Sequence, residues 1–253
     1  MIGKLVRASG RLIRCAAVIA TAGADYFVFI RLRGKSGRLA VRAEWLRRHS
    51  GRMLAALHVS LEQRGVPPAG GMLAANHLGY VDILVLGAGK PMVFLSKSEV
   101  RRWPVIGVLT ACAGTLFIRR DRKSDVARFD ESFARVVNAG LLLGLFPEGT
   151  SSNGHQVLPF HSSLFASAVA AQWPVTPVWL GYAATGGSVE NDVCYWGDMT
   201  FFSHFLRLLT VEHIRATVVY GTALPAGLDR KAMARQLHQE VGALAEQHGP
   251  GRA

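Results

Sequence analysis

The chain has 253 residues, half of them hydrophobic, and a formal net charge of +12. That is enough apolar material for one domain of ordinary size with a real core, and it excludes disorder as the main theme. The charge is uneven: thirteen Lys and Arg precede residue 66 against only Asp25, Glu44 and Glu62, while the rest of the chain is nearly balanced.

In chain order, Arg7, Arg11 and Arg14 lead into the mostly apolar run Cys15 to Ile30, and Arg31, Arg33, Lys35 and Arg38 follow it. The run falls short of the ~20 residues a spanning helix needs and contains Asp25, so it predicts an interfacial or shallowly inserted helix. The next segment sets Leu39, Trp45, Leu46, Met53, Leu54, Leu57 and Leu61 among arginines at helical spacing, which predicts a basic amphipathic helix lying on lipid. Three other readings compete. The small residues Ala20 to Ala24 would suit a secretory signal, but the aromatic run Tyr26 to Phe29 continues past them. A nucleic-acid arm would need aromatic and basic residues interleaved on a strand platform, or a zinc or helix-turn-helix pattern, and none occurs. The third is an ordinary solvated helix packed on the domain. Anchoring at a membrane surface fits best, with residues 1–65 as helical anchor and 66–253 as an α/β domain, the two forming one folded unit.

Beyond residue 70, short β-rich runs alternate with helical patterns. Met72–Ala75, Met92–Ser96, Thr115–Ile118, Leu141–Phe146, Val175–Leu180 and Ala216–Gly221 read as strands, several of them continuously apolar, as strands covered on both faces should be. Helices are expected from near Val81, Ser98, Ser124 and Ser162, and over Asp229–His248. The fold class is therefore α/β, a mostly buried sheet flanked by helices. Cys15, Cys112 and Cys194, odd in number and widely spaced, suggest reduced structural thiols in a cytosol-facing protein. No CxxC, HExxH or DxDxDG occurs and the histidines form no ligand-spaced cluster, so no metal is expected.

Asn76 and His77 follow the strand Met72–Ala75, and Asp82 sits in the first turn of the helix after it. Strand ends are where α/β proteins place their sites. A histidine held by a carboxylate has one fixed tautomer and one ring nitrogen free to act as a base; taken alone, the pair reads equally as a capping Asp and a loop His. A second stretch, Phe146-Pro-Glu-Gly-Thr150, leaves a buried strand through a small polar turn that exposes a carboxylate, a hydroxyl and backbone N–H groups.

In order, spacing and residue type, these stretches and the intervening Gly114 to Arg120 together resemble the glycerolipid acyltransferase family, the 1-acylglycerol-3-phosphate acyltransferases and their relatives. The first family motif is matched by Asn76, His77 and Asp82. The second is matched by Lys97, Glu99, Pro104, Gly107, Gly114, Phe117, Ile118 and Arg120, with Arg119 in place of an acid; the third by Phe146 to Thr150, with Ser151 in place of an arginine; and the fourth by Thr176, Pro177 and Val178. The resemblance implies transfer of a fatty acyl chain from a thioester of acyl carrier protein or coenzyme A to a lysolipid hydroxyl. His77 would be the general base, with Asp82 orienting it. Asn76, Lys97, Arg120, Glu148, Gly149, Thr150 and Ser151 would bind substrate.

No GxSxG elbow is present, so direct transfer without an acyl-enzyme is expected. Membrane lipids and acyl carrier protein are the expected partners, nucleic acid is not, and no cofactor beyond the thioester co-substrate is needed. The expected location is the cytoplasmic face of a bacterial inner membrane, peripheral or monotopic. Ser151 removes a planar fork that suits a phosphate, which puts a phosphate headgroup in doubt and makes the chain similar to the branch acting on lyso-ornithine lipid. The alternative is a catalytically silent membrane or lipid-binding protein of the same fold.

Overall fold

The computed structural model describes residues 2–31, 38–118, 125–225 and 227–249. Seven strands form one mixed sheet: β1 (Val59–Arg64), β2 (Gly71–Ala75), β3 (Met92–Lys97), β4 (Leu116–Ile118), β5 (Leu142–Leu145), β6 (Val175–Thr185) and β7 (His213–Tyr220), in the spatial order β1-β7-β6-β2-β5-β3-β4. β2 to β6 run parallel to one another, β7 runs antiparallel to β6, and β1 runs parallel to β7. The helices are α1 (Ile2–Asp25), α2 (Arg38–Leu57), α3 (Val81–Gly89), α4 (Ile106–Ala113), α5 (Asp125–Asn138), α6 (Ala166–Ala171), α7 (Phe201–Thr210) and α8 (Arg230–His248).

The unbroken hydrophobicity of the central strands has a direct cause. Along β2, Leu73 and Ala75 enter one core with Val85 and Leu86 of α3 and Leu54 and Leu57 of α2, whereas Met72 and Ala74 enter a second core with Leu237 of α8 and Phe165. With both faces covered, neither set of alternating positions can be polar.

The structure corrects the expectation for Leu39 to Leu61 in two respects. The helix ends at Leu57, because His58 adopts a left-handed backbone (φ 61°), and Val59 begins a strand at the sheet edge. Trp45, Leu46, Leu54 and Leu57 of α2 are buried against the domain, so this helix spends its apolar face on the protein core. The arginines that made it look lipid-facing lie on its outer side or bond locally: Arg47 pairs with Glu44 at 2.7 Å, and Arg42 donates to the carbonyls of Ala111 and Cys112 at the end of α4. α7 was not expected from the sequence. Its Phe201, His204, Phe205 and Leu208 follow a helical period, and His204 and Leu208 are fully buried. The region near Ser98 divides into a 3₁₀ turn over Ser98–Arg102 and then α4.

α1 is clamped to α7. Buried Arg11 donates to the carbonyls of Leu209, Val211 and Glu212, where the C-terminus of α7 leaves acceptors without helical partners, and Arg7 donates to Thr210 O at 2.7 Å. Trp45 Nε1 donates to Ala22 O at 3.0 Å and fixes the other end of α1 to α2. The opposite side of α1 presents Ile2, Leu5, Val6, Leu12 and Ile13 to the outside, with Ile2 78% exposed. Among the described residues, no helix is long and apolar enough to cross a membrane.

Candidate active site

The site is assembled where β2 ends. Ala75 is the last residue of that strand, and the side chain of Asn76 takes over the ladder: its Nδ2 donates to Leu180 O on β6 at 2.9 Å, and its Oδ1 accepts from Leu180 N at 2.7 Å. The buried Asn76 amide is thus occupied in holding the loop to the sheet. The loop then packs closely on Tyr195: a Cβ at Gly79 would come within 3.0 Å of the Tyr195 backbone nitrogen, and Tyr195 N donates to Leu78 O at 2.8 Å.

Asp82, in the first turn of α3, folds back over this loop with no exposure to solvent. Its Oδ2 accepts from His77 Nδ1 at 2.7 Å, Leu78 N at 2.6 Å and Gly79 N at 2.9 Å, while its Oδ1 accepts from the Tyr182 hydroxyl of β6 at 2.6 Å. A carboxylate can only accept, so the shared hydrogen sits on His77 Nδ1 and Nε2 is left as the basic nitrogen. The imidazole stacks on the Phe146 ring with centroids 4.1 Å apart, and Phe146 stacks in turn on Phe94 at 6.0 Å. The His77 side chain is 21% exposed, so the ring is fixed on one edge and one face and reachable on the rest.

The turn after β5 lies against the same loop. Ser152 N donates to His77 O at 2.9 Å, and Gly149, at φ 71°, closes the turn with its N–H on Phe146 O at 3.1 Å. Glu148 is buried, and neither carboxyl oxygen closes a hydrogen bond. Burial pushes its pKa up to about 8, opposed in part by the nearby backbone N–H groups of Leu158 and His77 and reinforced by Asp82. The raised pKa favours the neutral acid, which avoids setting a second negative charge beside Asp82. Thr150 is exposed, and the Ser151 hydroxyl donates to Tyr195 O. Lys97 ends β3 and is exposed, one strand across from Ile118. Arg120 and Arg119 lie outside the described residues.

The acyltransferase family profile matches residues 58–181. A lyso-ornithine lipid O-acyltransferase of Pseudomonas aeruginosa is 40% identical over 192 residues, covering 75% of this chain and 74% of the relative. The chain belongs to the acyltransferase family. A 1-acyl-sn-glycerol-3-phosphate acyltransferase of Neisseria meningitidis is 38% identical to this acyltransferase over 197 residues, covering 76% of the chain and 77% of the relative. The crystal structure of the 1-acyl-sn-glycerophosphate acyltransferase PlsC of Thermotoga maritima shares the fold, with a TM-score of 0.68 at 15% identity over 97% of this chain and 96% of that one.

Of the expected site residues, the acyltransferase brings His77, Asp82, Glu148 and Gly149 together around one loop, directs the Asn76 amide into the sheet and leaves Lys97 on the surface. Tyr182, Tyr195 and the stacking role of Phe146 were not foreseen. The signal for Tyr182 was available, since it shares a β6 face with Val178 and Leu180, both fully buried positions where a tyrosine hydroxyl needs a partner.

The Glu148 carboxyl yields a pH prediction. Its folded pKa is raised, so the folded state holds a proton that the unfolded chain gives up. The contribution of Glu148 to stability is therefore fully present at low pH and is lost as pH rises from the ordinary carboxylate range through about 8. Chemical denaturation at pH 5, 7 and 9 should show the wild type losing up to a few kcal/mol that Glu148→Gln retains. Identical pH dependence in the two proteins would mean that Glu148 is not held neutral.

Proposed function

We propose that the protein transfers a fatty acyl chain from an acyl thioester, of acyl carrier protein or coenzyme A, to the hydroxyl of a lysolipid, with His77 as general base and no acyl-enzyme. The observation that carries this reading is the His77–Asp82 pair at 2.7 Å, with Nδ1 engaged and the opposite edge of the ring accessible. His77 Nε2 takes the hydroxyl proton as the lysolipid oxygen bonds to the thioester carbonyl carbon. The tetrahedral intermediate then collapses, the carbon–sulfur bond breaks, and the imidazolium returns the proton to the departing thiolate, giving ester and thiol. Asp82 stabilises the imidazolium without itself taking the proton.

The headgroup reading rests on position 151. The family arginine that would offer a bidentate contact to a phosphate monoester is a serine here, and its hydroxyl is spent on Tyr195 O. A zwitterionic or single-carboxylate headgroup requires less positive charge, which favours a lyso-ornithine-type acceptor over 1-acylglycerol-3-phosphate. The exposed stripe Ile2, Leu5, Val6, Leu12 and Ile13, on a helix that also exposes Lys4 and Arg14, supports approach to an anionic membrane surface, in keeping with a cytoplasmic-leaflet location. Leu5→Glu with Ile13→Glu should reduce co-sedimentation with phosphatidylglycerol vesicles; undiminished binding would remove α1 from that role.

A thiol-release assay with lysolipids tests the reaction. His77→Ala should lower the rate by ~10²-fold or more while keeping the fold, and a variant retaining over a tenth of the activity would contradict the base assignment. A silent lipid-binding protein would give no thiol release with any acceptor. In a direct comparison of the two acceptors with one thioester, Ser151→Arg should shift the ratio of specificity constants toward the phosphate acceptor by roughly 1–3 kcal/mol. A wild type that already prefers the phosphate acceptor a hundredfold, unchanged by the arginine, would show that position 151 does not select.

A further inference from the structure

We infer that Tyr182 is a positioning residue for the reaction, setting through Asp82 both the orientation and the basicity of His77; this rests on the general-base reading of His77 above. Of the four donors on the Asp82 carboxylate, three come from the loop itself, namely His77 Nδ1, Leu78 N and Gly79 N. All three converge on Oδ2. Among the described residues Tyr182 alone holds Oδ1, at 2.6 Å, and it reaches in from β6, 100 residues away in the chain.

The geometry gives this contact two effects. Mechanically, bonds to Oδ2 alone leave the carboxyl group free to swing about that oxygen, and the bond to Oδ1 stops the swing. Tyr182 is rooted in the sheet two residues beyond Leu180, whose backbone is bonded in both directions by the Asn76 side chain. Loop and carboxylate are therefore referenced to the same stretch of β6. Electrostatically, a hydroxyl donating to Oδ1 draws negative charge toward that oxygen and away from the one facing the imidazole, which tempers how strongly Asp82 stabilises the imidazolium. Tyr182 is buried, and burial, then the charge of Asp82, hold its hydroxyl well above the usual phenol range, so it acts as a donor at every working pH.

Among the described residues, the titratable groups facing Asp82 besides His77 and Tyr182 are Cys194, whose thiol burial pushes up to about 12, and Glu148 on the turn after β5. Cys194 stays protonated across the range in which an imidazole titrates. Glu148 ionises near the top of that range, so the experiment is read in a Glu148→Gln background as well as in the wild type.

The test is the pH profile of kcat/KM for Tyr182→Phe, which keeps the ring and removes only the hydroxyl. The acidic limb should move to higher pH by about half a unit or more, as the undiluted carboxylate favours the imidazolium, and the plateau should fall roughly tenfold as Asp82 loses its second anchor. In an Asp82→Asn background the same substitution should cost less than about twofold, because Tyr182 acts through the carboxylate. A purely structural tyrosine would lower stability without moving the limb and would add its full cost in both backgrounds; either result would overturn the inference. Should Tyr182→Phe not fold, 3-fluorotyrosine placed at position 182 alone keeps the shape and strengthens the donor, and the limb should then move to lower pH. A limb that stays in place with the fluorinated residue would equally overturn the inference.

Discussion

A carboxylate with no access to water is costly unless every lone pair facing protein is answered, and Asp82 is answered by four donors within 2.9 Å. Much of the surrounding architecture serves that requirement. The loop after β2 curls so that two consecutive N–H groups point at one oxygen, α3 starts where it can return the aspartate over the loop, and β6 runs far enough past its neighbours to bring Tyr182 to the other oxygen. Removing one donor would leave a buried charge short of a partner, so the His77–Asp82 pair and local stability are bound to the same few atoms.

The environment of His77 follows from the same arrangement. One ring nitrogen is committed to Asp82, one face lies on Phe146, and the main chain of the residue accepts a bond from Ser152. The turn carrying Glu148 is thereby fastened to the loop carrying His77. Burial raises the Glu148 pKa and so favours its neutral form beside the charged Asp82, which keeps two carboxylates from sharing one buried site.

Much of the fold was readable along the chain, for identifiable reasons. The central strands β2, β3, β5 and β6 are largely apolar runs bounded by Gly, Pro or small residues, and such runs mark strands covered on both faces. The spacing of His77 and Asp82 across a strand-to-helix turn made them a candidate pair, and the motifs that follow them in the chain carried the reading. Periodicity could not say what an apolar face meets. The leucines of α2 have the same spacing whether they face lipid or a sheet, and only the presence of α3 and β2 beside them decides. β1 was concealed because a helical period ran through Leu57 to Leu61, while a single left-handed residue, His58, ended it. Asn76 read as a substrate contact because it belongs to the first motif that carries the family resemblance; its partner, a backbone 104 residues away, leaves no local trace.

Asp82 fixes the tautomer that leaves His77 Nε2 basic. Histidine-selective 15N NMR of the intact chain in lipid nanodiscs, with His77→Gln identifying the resonance, reports that tautomer directly. In the neutral ring the proton should sit on Nδ1, with its resonance shifted downfield by the short bond to Asp82, and Nε2 should be unprotonated. A neutral ring carrying its proton on Nε2 would contradict it.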